Sequence, residues 1–331
     1  MQKRKLGAHG PEVSAIGIGA MSFAGVYGNA TEEQTHALLD AARDEGIDHI
    51  DTSNVYGMGL SEEYIGRYLA KQQGDSPFVI ATKAGIARDA SGTRTFCNDP
   101  EHLETELDGS LKRLGVEQVE LFYVHRRDPV IPIEDVTGVL AELVKKGKTR
   151  QIAYSEIAPS SLRRAAAVHP IAAVQSEYSL STRYPDLGLI QACAEVGAAL
   201  VAFSPVGRGL LTDTPPTAEK VAGLDFLKSN PRFMAPNLAA NLEYSAAFQK
   251  LAADMGHSAA ALAIAWLLKR GQHVIPIPGT RDIDHLRQLA AGGGLELSDE
   301  DMERIESVLP VGWAHGDRYN ENQWIGPERY C

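Results

Sequence analysis

Cysteine is scarce in this sequence, and its three copies are far apart. Cys97, Cys193 and Cys331 form no C-x-x-C pair, so neither a zinc site nor a disulfide framework is expected. Such cysteine usage is typical of a reducing compartment, and we expect a cytoplasmic protein. The basic residues 3–5 are followed by a polar stretch instead of an apolar one, so no export signal is expected either.

Long apolar runs and excess positive charge are also missing. The longest apolar run, residues 259–268, is too short to cross a bilayer and predicts a buried helix. Asp and Glu outnumber Lys and Arg by 43 to 32, and the formal charge of -11 disfavours a broad surface for nucleic acid. We therefore expect a small-molecule partner, no nucleic acid and no membrane, while a local basic pocket stays compatible with this charge. The oligomeric state is left open.

Strand-like and helix-like segments alternate along the chain, within an ordinary globular composition of 44% hydrophobic and 23% charged residues. Strands are expected at residues 16–19, 49–51, 78–81, 119–124, 149–154, 172–175, 198–203 and 274–277. Helices are expected after Thr31, near Ser61, at Pro100, and over residues 134–146, 160–168, 186–195, 240–255, 258–269, 282–290 and 298–308. A Gly- and Pro-rich insertion occupies residues 205–236.

This order predicts one α/β domain over residues 1–331. It is a (β/α)8 barrel, also called a TIM barrel, with an N-terminal β-hairpin at residues 3–6 and 12–14, extra C-terminal helices and an aromatic tail at 311–331. The doubly wound alternative requires G-x-G-x-x-G before the first helix, and Ser22 breaks that pattern. A barrel hydrolase that uses a metal is disfavoured because no H-x-H strand motif is present, so no metal is expected.

Four polar residues are predicted at neighbouring strand ends. Asp51, Lys83 and His125 end the second, third and fourth strands, and Tyr56 lies in the loop after the second. Each has a purely structural alternative, as a turn cap, a half-buried ring, a solvated lysine or a core histidine. Together, at the end of a barrel where active sites assemble, they suit the protonation of an oxygen next to a carbon that receives hydride. Tyr56 gives the proton and Lys83 eases its loss. Asp51 holds Lys83, and His125 orients the carbonyl.

Eight ordered stretches resemble the aldo-keto reductase family. They are I-G-I-G-A-M-S, G-I-D-H-I-D-T-S-N-V-Y-G, V-I-A-T-K, S-L-K-R-L-G-V-E-Q-V-E-L-F-Y-V-H, G-K-T-R-Q-I-A-Y-S-E, A-V-Q-S-E-Y-S-L, F-S-P-V-G-R-G-L-L and V-I-P-I-P-G-T-R. The similarity runs from Leu6 to about Tyr319. Within the family, the sequence resembles the bacterial-type branch that contains pyridoxal reductases and members similar to potassium-channel β-subunits. The resemblance implies a barrel that binds NADPH without a Rossmann domain and a catalytic tetrad, matched by the four residues above.

The implied activity is reduction of an aldehyde or ketone to the alcohol, or the reverse, by an NADP-dependent enzyme of the alcohol dehydrogenase or carbonyl reductase class. NADH is the less expected cofactor. The alternative is an NADP(H)-binding regulatory subunit or redox sensor with slow turnover. The small-molecule partner is accordingly a carbonyl compound or an alcohol, and its identity is left open.

Cofactor-binding positions also follow from the resemblance. Ser155 and Gln175 match residues that bind the nicotinamide carboxamide, and Phe203 matches the ring that stacks on the nicotinamide. Residues 204–210 match the pyrophosphate loop, with Arg208 as counter-charge, and residues 279–281 match the segment at the 2'-phosphate. The full set is Gly19, Met21, Asp51, Ser155, Gln175, Phe203, Ser204, Pro205, Val206, Gly207, Arg208, Gly209, Leu210, Gly279, Thr280, Arg281, His285 and Gln288.

Departures from the family pattern leave three positions open. Glu156 stands in place of a common Asn, Ala153-Tyr154 is expected to crowd the barrel floor or the edge of the cofactor, and Leu289 cannot hydrogen-bond adenine. Substrate contacts are expected from loop residues at the barrel mouth and from aromatic residues of the tail, which either close over the mouth or pack onto the barrel. These are Met21, Phe23, Tyr27, Ile86, Arg88, Arg126, Trp313, Tyr319 and Trp324. Arg88 or Arg126 either selects an anionic carbonyl or is a solvated loop arginine.

Overall fold

A computed structural model describes residues 1–28 and 30–330, and in it eight parallel strands form one sheet. The strands are β1 (Lys3–Lys5), β2 (Glu12–Ser14), β3 (Ile18–Gly19), β4 (His49–Asp51), β5 (Val79–Ala84), β6 (Ile86–Arg88), β7 (Arg94–Phe96), β8 (Val119–Val124), β9 (Thr149–Ser155), β10 (Ala173–Glu177), β11 (Ala199–Phe203) and β12 (Val274–Pro276). The helices are α1 (Glu32–Asp44), α2 (Leu60–Leu69), α3 (Pro100–Leu114), α4 (Ile133–Lys145), α5 (Pro159–Ala166), α6 (Leu189–Val196), α7 (Ala218–Ala222), α8 (Asp225–Lys228), α9 (Asn237–Asp254), α10 (Ala259–Lys269), α11 (Ile283–Gly292) and α12 (Asp299–Val308).

The sheet closes on itself as a barrel. Its strand order is β12-β11-β10-β9-β8-β5-β4-β3, and the two outer strands are joined by backbone hydrogen bonds. Gly17 N donates to Pro276 O and Gly19 N donates to Pro278 O, both at 2.9 Å. A Cβ at Gly19 would lie 2.6 Å from Ile277 O, so this close approach requires glycine. The predicted (β/α)8 barrel is confirmed.

Two apolar layers flank the barrel strands, because successive side chains point to opposite faces of a sheet. On β8, Leu121 and Tyr123 belong to the inner cluster, whereas Phe122 and Val124 pack outward against the helices. The predicted hairpin is confirmed as β1 and β2, which pair antiparallel. Leu6, which follows β1, belongs to the inner cluster, so the hairpin region contributes to the barrel core.

Most helix signals are confirmed. Thr31 caps α1 in a capping box with Gln34, and Ser258 caps α10, which contains the longest apolar run and is buried almost throughout. Ser61 does not begin α2, because the helix starts one residue earlier after Gly59. The Ser61 hydroxyl instead donates to Ala20 O at 3.0 Å.

Two further expectations concern membranes and thiols. Within the described residues no single helix is long and apolar enough to span a bilayer, while α9 and α10 pass that test only together, across an 86° bend. Cys97 and Cys193 are free thiols, and Cys331 lies outside the described residues. The loop after β5 contains an antiparallel hairpin, β6 and β7, that the sequence did not predict.

Candidate active site

A cavity of about 520 Å³ opens at the carboxyl ends of the barrel strands. Strand ends form its inner wall, residues 204–227 form one side, and Tyr319 and Gln323 from the C-terminal tail form part of its rim. This is the end of a parallel barrel at which active sites are built. Asp51, Tyr56 and His125 line the cavity, and Lys83 lies buried next to them.

Lys83 and Asp51 form a buried ion pair at the base of the cavity. The Lys83 ammonium donates to Asp51 Oδ1 and, at 2.7 Å, to Thr52 O. The second carboxylate oxygen, Oδ2, accepts from Gln175 Nε2 at 2.8 Å. Both oxygens of Asp51 are therefore engaged, and the carboxylate holds the Lys83 ammonium in place.

Tyr56 faces this ion pair. The Lys83 ammonium lies 5.3 Å from the centroid of the Tyr56 ring, and the His125 ring lies 5.8 Å away at 87°. The chain turns sharply immediately after the tyrosine, because Gly57, Met58 and Gly59 all have positive φ, at 61°, 55° and 97°. For Met58 that conformation is uncommon, and it fixes the direction of the loop that carries Tyr56.

The pKa of Tyr56 lies above its ordinary value. Removal of water around the phenol raises this pKa, and the positive charge of Lys83 opposes the rise without cancelling it. Lys83 thus lowers the pKa of Tyr56, in the direction expected from the sequence, but by less than burial raises it. At neutral pH the phenol keeps its proton, which is the state that a proton donor needs.

His125 is neutral in this setting. Burial holds the pKa of His125 well below its ordinary value, and the charges of Arg126, Lys83 and Arg94 lower it further. Its Nδ1 lies 3.1 Å from Ser53 Oγ, and a hydrogen bond donated by this hydroxyl to Nδ1 leaves the imidazole proton on Nε2. A neutral, oriented imidazole can hydrogen-bond a carbonyl oxygen beside Tyr56.

The predicted cofactor residues come together along the same cavity. All of those expected from the sequence line it except Gly207 and Leu210, which are buried in the loop behind its wall. Ser155 accepts a hydrogen bond from Arg126 at 3.0 Å, and Gln175 donates to Asp51. Leu289 lines the cavity as well and offers only an apolar surface.

Arg208, the counter-charge expected for the pyrophosphate, already pairs with an acid of this chain, and its side chain is 3% exposed. It is buried, donates to Glu177 Oε2 at 2.7 Å, and stacks between the rings of Phe226 and Tyr319 at 5.1 and 5.2 Å. Its Nε and Nη1 have no hydrogen-bond partner among the described residues. A buried donor without a partner is costly, so these two N–H groups fit the phosphate oxygens of a dinucleotide.

Arg281 lies at the far end of the cavity and is half-buried. Its Nη2 donates to Tyr27 O at 2.7 Å, which ties α11 to the turn that follows β3. A Cβ at Gly28 would lie 3.1 Å from the guanidinium, so this turn must pass very close to the arginine. The arrangement does not match a plain surface arginine, which was the alternative interpretation of Arg281.

The structure separates the loop residues that were expected near the substrate. Those that line the cavity are Met21, Tyr27 and Arg126. Those that do not are Phe23, Ile86 and Arg88. Phe23 is buried in the apolar core, and Arg88 is exposed on β6, where it donates to Gly92 O at 2.8 Å.

The aromatic residues of the tail divide between the cavity and the barrel surface. Tyr319 lines the cavity. Trp313 is buried elsewhere and donates to Leu180 O at 2.8 Å. The Trp324 ring packs edge-to-face against Tyr319, with 86° between the two ring planes. The guanidinium carbon of Arg318 lies 4.7 Å from the centroid of the Trp324 ring. Of these three aromatic residues, Tyr319 reaches the site, while Trp313 and Trp324 attach the tail to the barrel.

The departures from the family pattern have structural explanations. Glu156 is buried and pairs with Arg318 of the tail, which donates through Nη1 at 3.0 Å and also through Nη2. Tyr154 points outward, where its hydroxyl lies 2.7 Å from Thr137 Oγ1, so it crowds neither the barrel floor nor the cavity. Ala153 faces the barrel interior with a small side chain.

Backbone strain is concentrated around the cavity. Among the described residues, the non-glycine positions with positive φ are Met58, Glu156, Ser204 and Arg208. The last three lie at or beyond the carboxyl ends of β9 and β11, where the chain leaves the barrel to form the cavity wall. Strained conformations of this kind persist where the surrounding structure holds them and cluster at functional sites.

Several lining residues were missed by the sequence interpretation. Arg94 comes from the unpredicted β6–β7 hairpin, and Lys220, Leu224 and Phe226 come from α7, α8 and the turn between them, inside the insertion. Within the insertion, the sequence signals for these helices were the N-cap residue Thr217 and a few apolar residues close together. A basic residue in each segment was the signal available for a ligand wall.

The barrel, the buried Lys83–Asp51 pair and the cavity define an oxidoreductase-like site, and comparison with known proteins agrees. The profile of the Aldo/keto reductase family matches residues 15–310, and the chain belongs to this family. It is 38% identical over 320 residues to "Probable aldo-keto reductase 1" of Glycine max, covering 96% of this chain and 92% of that one.

Two other relatives support the same assignment. "Aldo-keto reductase yakc [NADP(+)]" of Schizosaccharomyces pombe is 36% identical over 320 residues, covering 96% of this chain and 94% of that one. Among solved structures, the glycerol dehydrogenase AKR11B4 of Gluconobacter oxydans superposes with a TM-score of 0.81 at 28% identity, covering 93% of this chain and 94% of that one.

Proposed function

We propose that this protein is an NADPH-dependent reductase of aldehydes or ketones in which Tyr56 is the general acid. The observation that carries the proposal is the buried Lys83 ammonium, held by Asp51 and lying 5.3 Å from the Tyr56 ring at the wall of a large cavity. A protonated phenol, a neutral imidazole and a fixed cation are the groups that carbonyl reduction needs.

Bound NADPH would supply a hydride to the carbonyl carbon. As the carbonyl oxygen gains negative charge, Tyr56 donates its proton to that oxygen, and the phenolate left behind is stabilised by Lys83. His125 donates a hydrogen bond from Nε2 to the same oxygen and thereby orients the carbonyl. The phenolate then takes a proton from solvent, which restores the starting state. Alcohol oxidation follows the same steps in reverse.

The expected preference for NADPH over NADH rests on Arg281. A guanidinium at the end of the cavity suits a 2'-phosphate, because its planar fork can donate two hydrogen bonds to phosphate oxygens. The neighbouring Gly279 and Thr280 also line this end of the cavity. The name of the fission yeast relative, which specifies NADP(+), agrees with this preference.

The experiment that tests the proposal follows NADPH absorbance during incubation of the purified protein with pyridoxal, phosphorylated aldehydes, sugars and bulky ketones. We expect multiple turnovers with at least one carbonyl and a lower kcat/KM with NADH. Tight NADPH binding without turnover on any carbonyl would favour the regulatory subunit or redox sensor instead. Failure to bind either nucleotide would contradict both functions.

A further inference from the structure

Positive charge is concentrated at the reacting end of the cavity, although the whole protein carries a net charge of -11. Arg94 and Arg126 both line the cavity beside His125. Neither arginine forms an ion pair with any carboxylate within residues 1–28 and 30–330. Arg208 and Arg281, which face the expected phosphates, lie in other segments of the wall. Arg94 and Arg126 therefore have no assigned counter-charge.

Arg126 is built into the site and is not a solvated loop arginine. It is only 8% exposed, and its Nη1 donates to His125 O at 2.6 Å and to Ser155 Oγ at 3.0 Å. Both acceptors are uncharged, and its Nε has no partner among the described residues. A guanidinium removed from water without a carboxylate is unfavourable unless a ligand supplies the negative charge.

The nearby acids do not fill this role. Asp51 is occupied by Lys83 and Gln175. Glu156 is close enough to feel the charge of Arg126, but its two carboxylate oxygens already accept from Arg318. The charge at the reacting end thus stays positive after the internal pairs are counted.

Arg94 reaches the cavity from the β6–β7 hairpin. It pairs in register with Arg88 and lies 5.1 Å from the centroid of the Phe96 ring, which supports the side chain. Partial burial lowers the pKa of Arg94, and the charge of Arg126 lowers it further, so the two guanidinium groups act on each other as like charges. Placing two arginines close together without an acid is typical of an anion site.

We propose that the substrate of this site is a carbonyl compound carrying a carboxylate or phosphate group, which Arg94 and Arg126 bind while the carbonyl faces Tyr56 and His125. This inference rests on the proposed function and deepens it. The anionic group selects and orients the substrate, because a charge-assisted hydrogen bond to a guanidinium is directional. The bond is strongest at the buried Arg126, while the more exposed Arg94 adds a second positive charge at the cavity wall.

Matched substrates test the charge preference directly. 4-Carboxybenzaldehyde and its neutral methyl ester, methyl 4-formylbenzoate, differ in charge with similar ring electronics. Glyceraldehyde 3-phosphate and glyceraldehyde provide the phosphate arm, so the two pairs distinguish carboxylate from phosphate recognition. We expect kcat/KM to be about ten- to a hundredfold higher for the anionic member of at least one pair, as expected for a charged hydrogen bond. This advantage should shrink as ionic strength rises.

Variants of the two arginines connect the preference to the structure. Arg94→Gln breaks no hydrogen bond within the described residues, and it should lower the ratio of kcat/KM for the anionic substrate to kcat/KM for its neutral partner. Arg94→Lys should restore part of the preference. Arg126→Gln should have the larger effect but also disturbs Ser155 and His125. Arg88→Gln, on the same hairpin but outside the cavity wall, is the control and should change neither substrate.

A binding measurement keeps this inference separate from the proposed function. Calorimetric titration of 4-carboxybenzaldehyde and its ester into the protein saturated with NADP+ reports anion binding without turnover. Tighter binding of the acid, lost in Arg94→Gln, supports the anion site even if no carbonyl is reduced. Equal binding and equal kcat/KM for the charged and neutral members of both pairs, or equal losses for both members in the arginine variants, would overturn the anion site while leaving carbonyl reduction intact.

Discussion

Arg318 donates to both carboxylate oxygens of Glu156, and this buried pair attaches the C-terminal tail to the end of β9. Both side chains are 2% exposed. Tyr319, the next residue after Arg318, lines the cavity, so the same ion pair positions part of the substrate-facing wall. Glu156, which departs from the common asparagine, is thereby explained as the anchor of the tail.

Removing one member of this pair should strongly destabilise the protein. Arg318→Met leaves the Glu156 carboxylate buried without its partner, which typically costs about 3–5 kcal/mol. We expect that loss in urea unfolding at neutral pH, with Glu156→Gln added to Arg318→Met recovering part of it. Lys250→Met, which breaks an exposed pair with Asp254, is the control and should cause no measurable loss. A loss for Arg318→Met no larger than this control would show that the pair does not hold the tail.

The tail should also become less stable in acid. Burial opposes ionisation of Glu156, yet the charge of Arg318 holds the pKa of this carboxyl below its ordinary value. A carboxyl with a lowered pKa contributes stability that is complete above its unfolded pKa and is lost as pH falls through its folded pKa. The free energy of unfolding should therefore decrease as the pH drops below about 4.5. The slope of this free energy against pH should be smaller in Glu156→Gln. Identical slopes for the two proteins would contradict the assignment.

Neutral His125 predicts a second pH effect. The pKa of this histidine is held well below 6.5, so it does not change charge between pH 6 and 8. With a neutral aldehyde as substrate, kcat/KM should show no inflection between pH 6 and 8 that is due to His125. Any inflection in this interval should therefore persist in His125→Asn. In stability measurements, the unfolded chain takes up a proton at this histidine below about pH 6.5 and the folded chain does not, so stability falls as pH drops. An inflection of kcat/KM near pH 6.5 that is absent from His125→Asn would show that the folded His125 is charged.

Arg281 should discriminate between the two nicotinamide cofactors. Arg281→Ala is expected to weaken NADPH binding by about ten- to a hundredfold, the worth of a charged hydrogen bond, and NADH binding far less. Fluorescence titration of each cofactor measures both effects. Arg287→Ala is a matched control, because Arg287 lies six residues further along on α11, is exposed and pairs with Asp284. Equal losses for NADPH and NADH would remove Arg281 from the phosphate site.

Tyr154 offers a test of which way the fifth barrel strand faces. Its hydroxyl contacts Thr137 on α4, so Tyr154→Phe should lower stability by about 0.5–1.5 kcal/mol, the usual worth of one hydrogen bond. Because the ring packs away from the cavity, kcat and NADPH affinity should stay unchanged. A variant with normal stability and altered cofactor affinity would place the ring at the cofactor instead.

The repeating parts of this structure were predictable from the sequence. Barrel strands and helices follow periodic patterns, and the residue at each strand end is fixed once the strand is located, which is why Asp51, Lys83 and His125 were found. The closure of the barrel through Gly17 and Gly19 also follows from the fold class. Such features depend on local sequence and on one global geometry.

Contacts between distant segments were not predictable in the same way. Glu156 and Arg318 are 162 positions apart, and Arg208 reaches Glu177 through a strained loop, so no local pattern announces either pair. The hairpin that carries Arg94 is short and polar, with three residues in each strand, and lacks a clear alternation. These irregular segments form the outer wall of the cavity, which explains why the reaction type was easier to infer than the substrate.

The central claim is that Tyr56 supplies the proton during carbonyl reduction, and Tyr56→Phe tests it most directly. Tyr64→Phe, a tyrosine on α2 outside the cavity wall, is the matched control. With a carbonyl that the parent protein reduces, Tyr56→Phe should lose about a hundred- to ten-thousandfold in kcat, the usual contribution of a general acid. Its NADPH dissociation constant should remain within about twofold of the parent value, since the lost hydroxyl is not a phosphate ligand. Turnover by Tyr56→Phe equal to that of Tyr64→Phe would contradict the account.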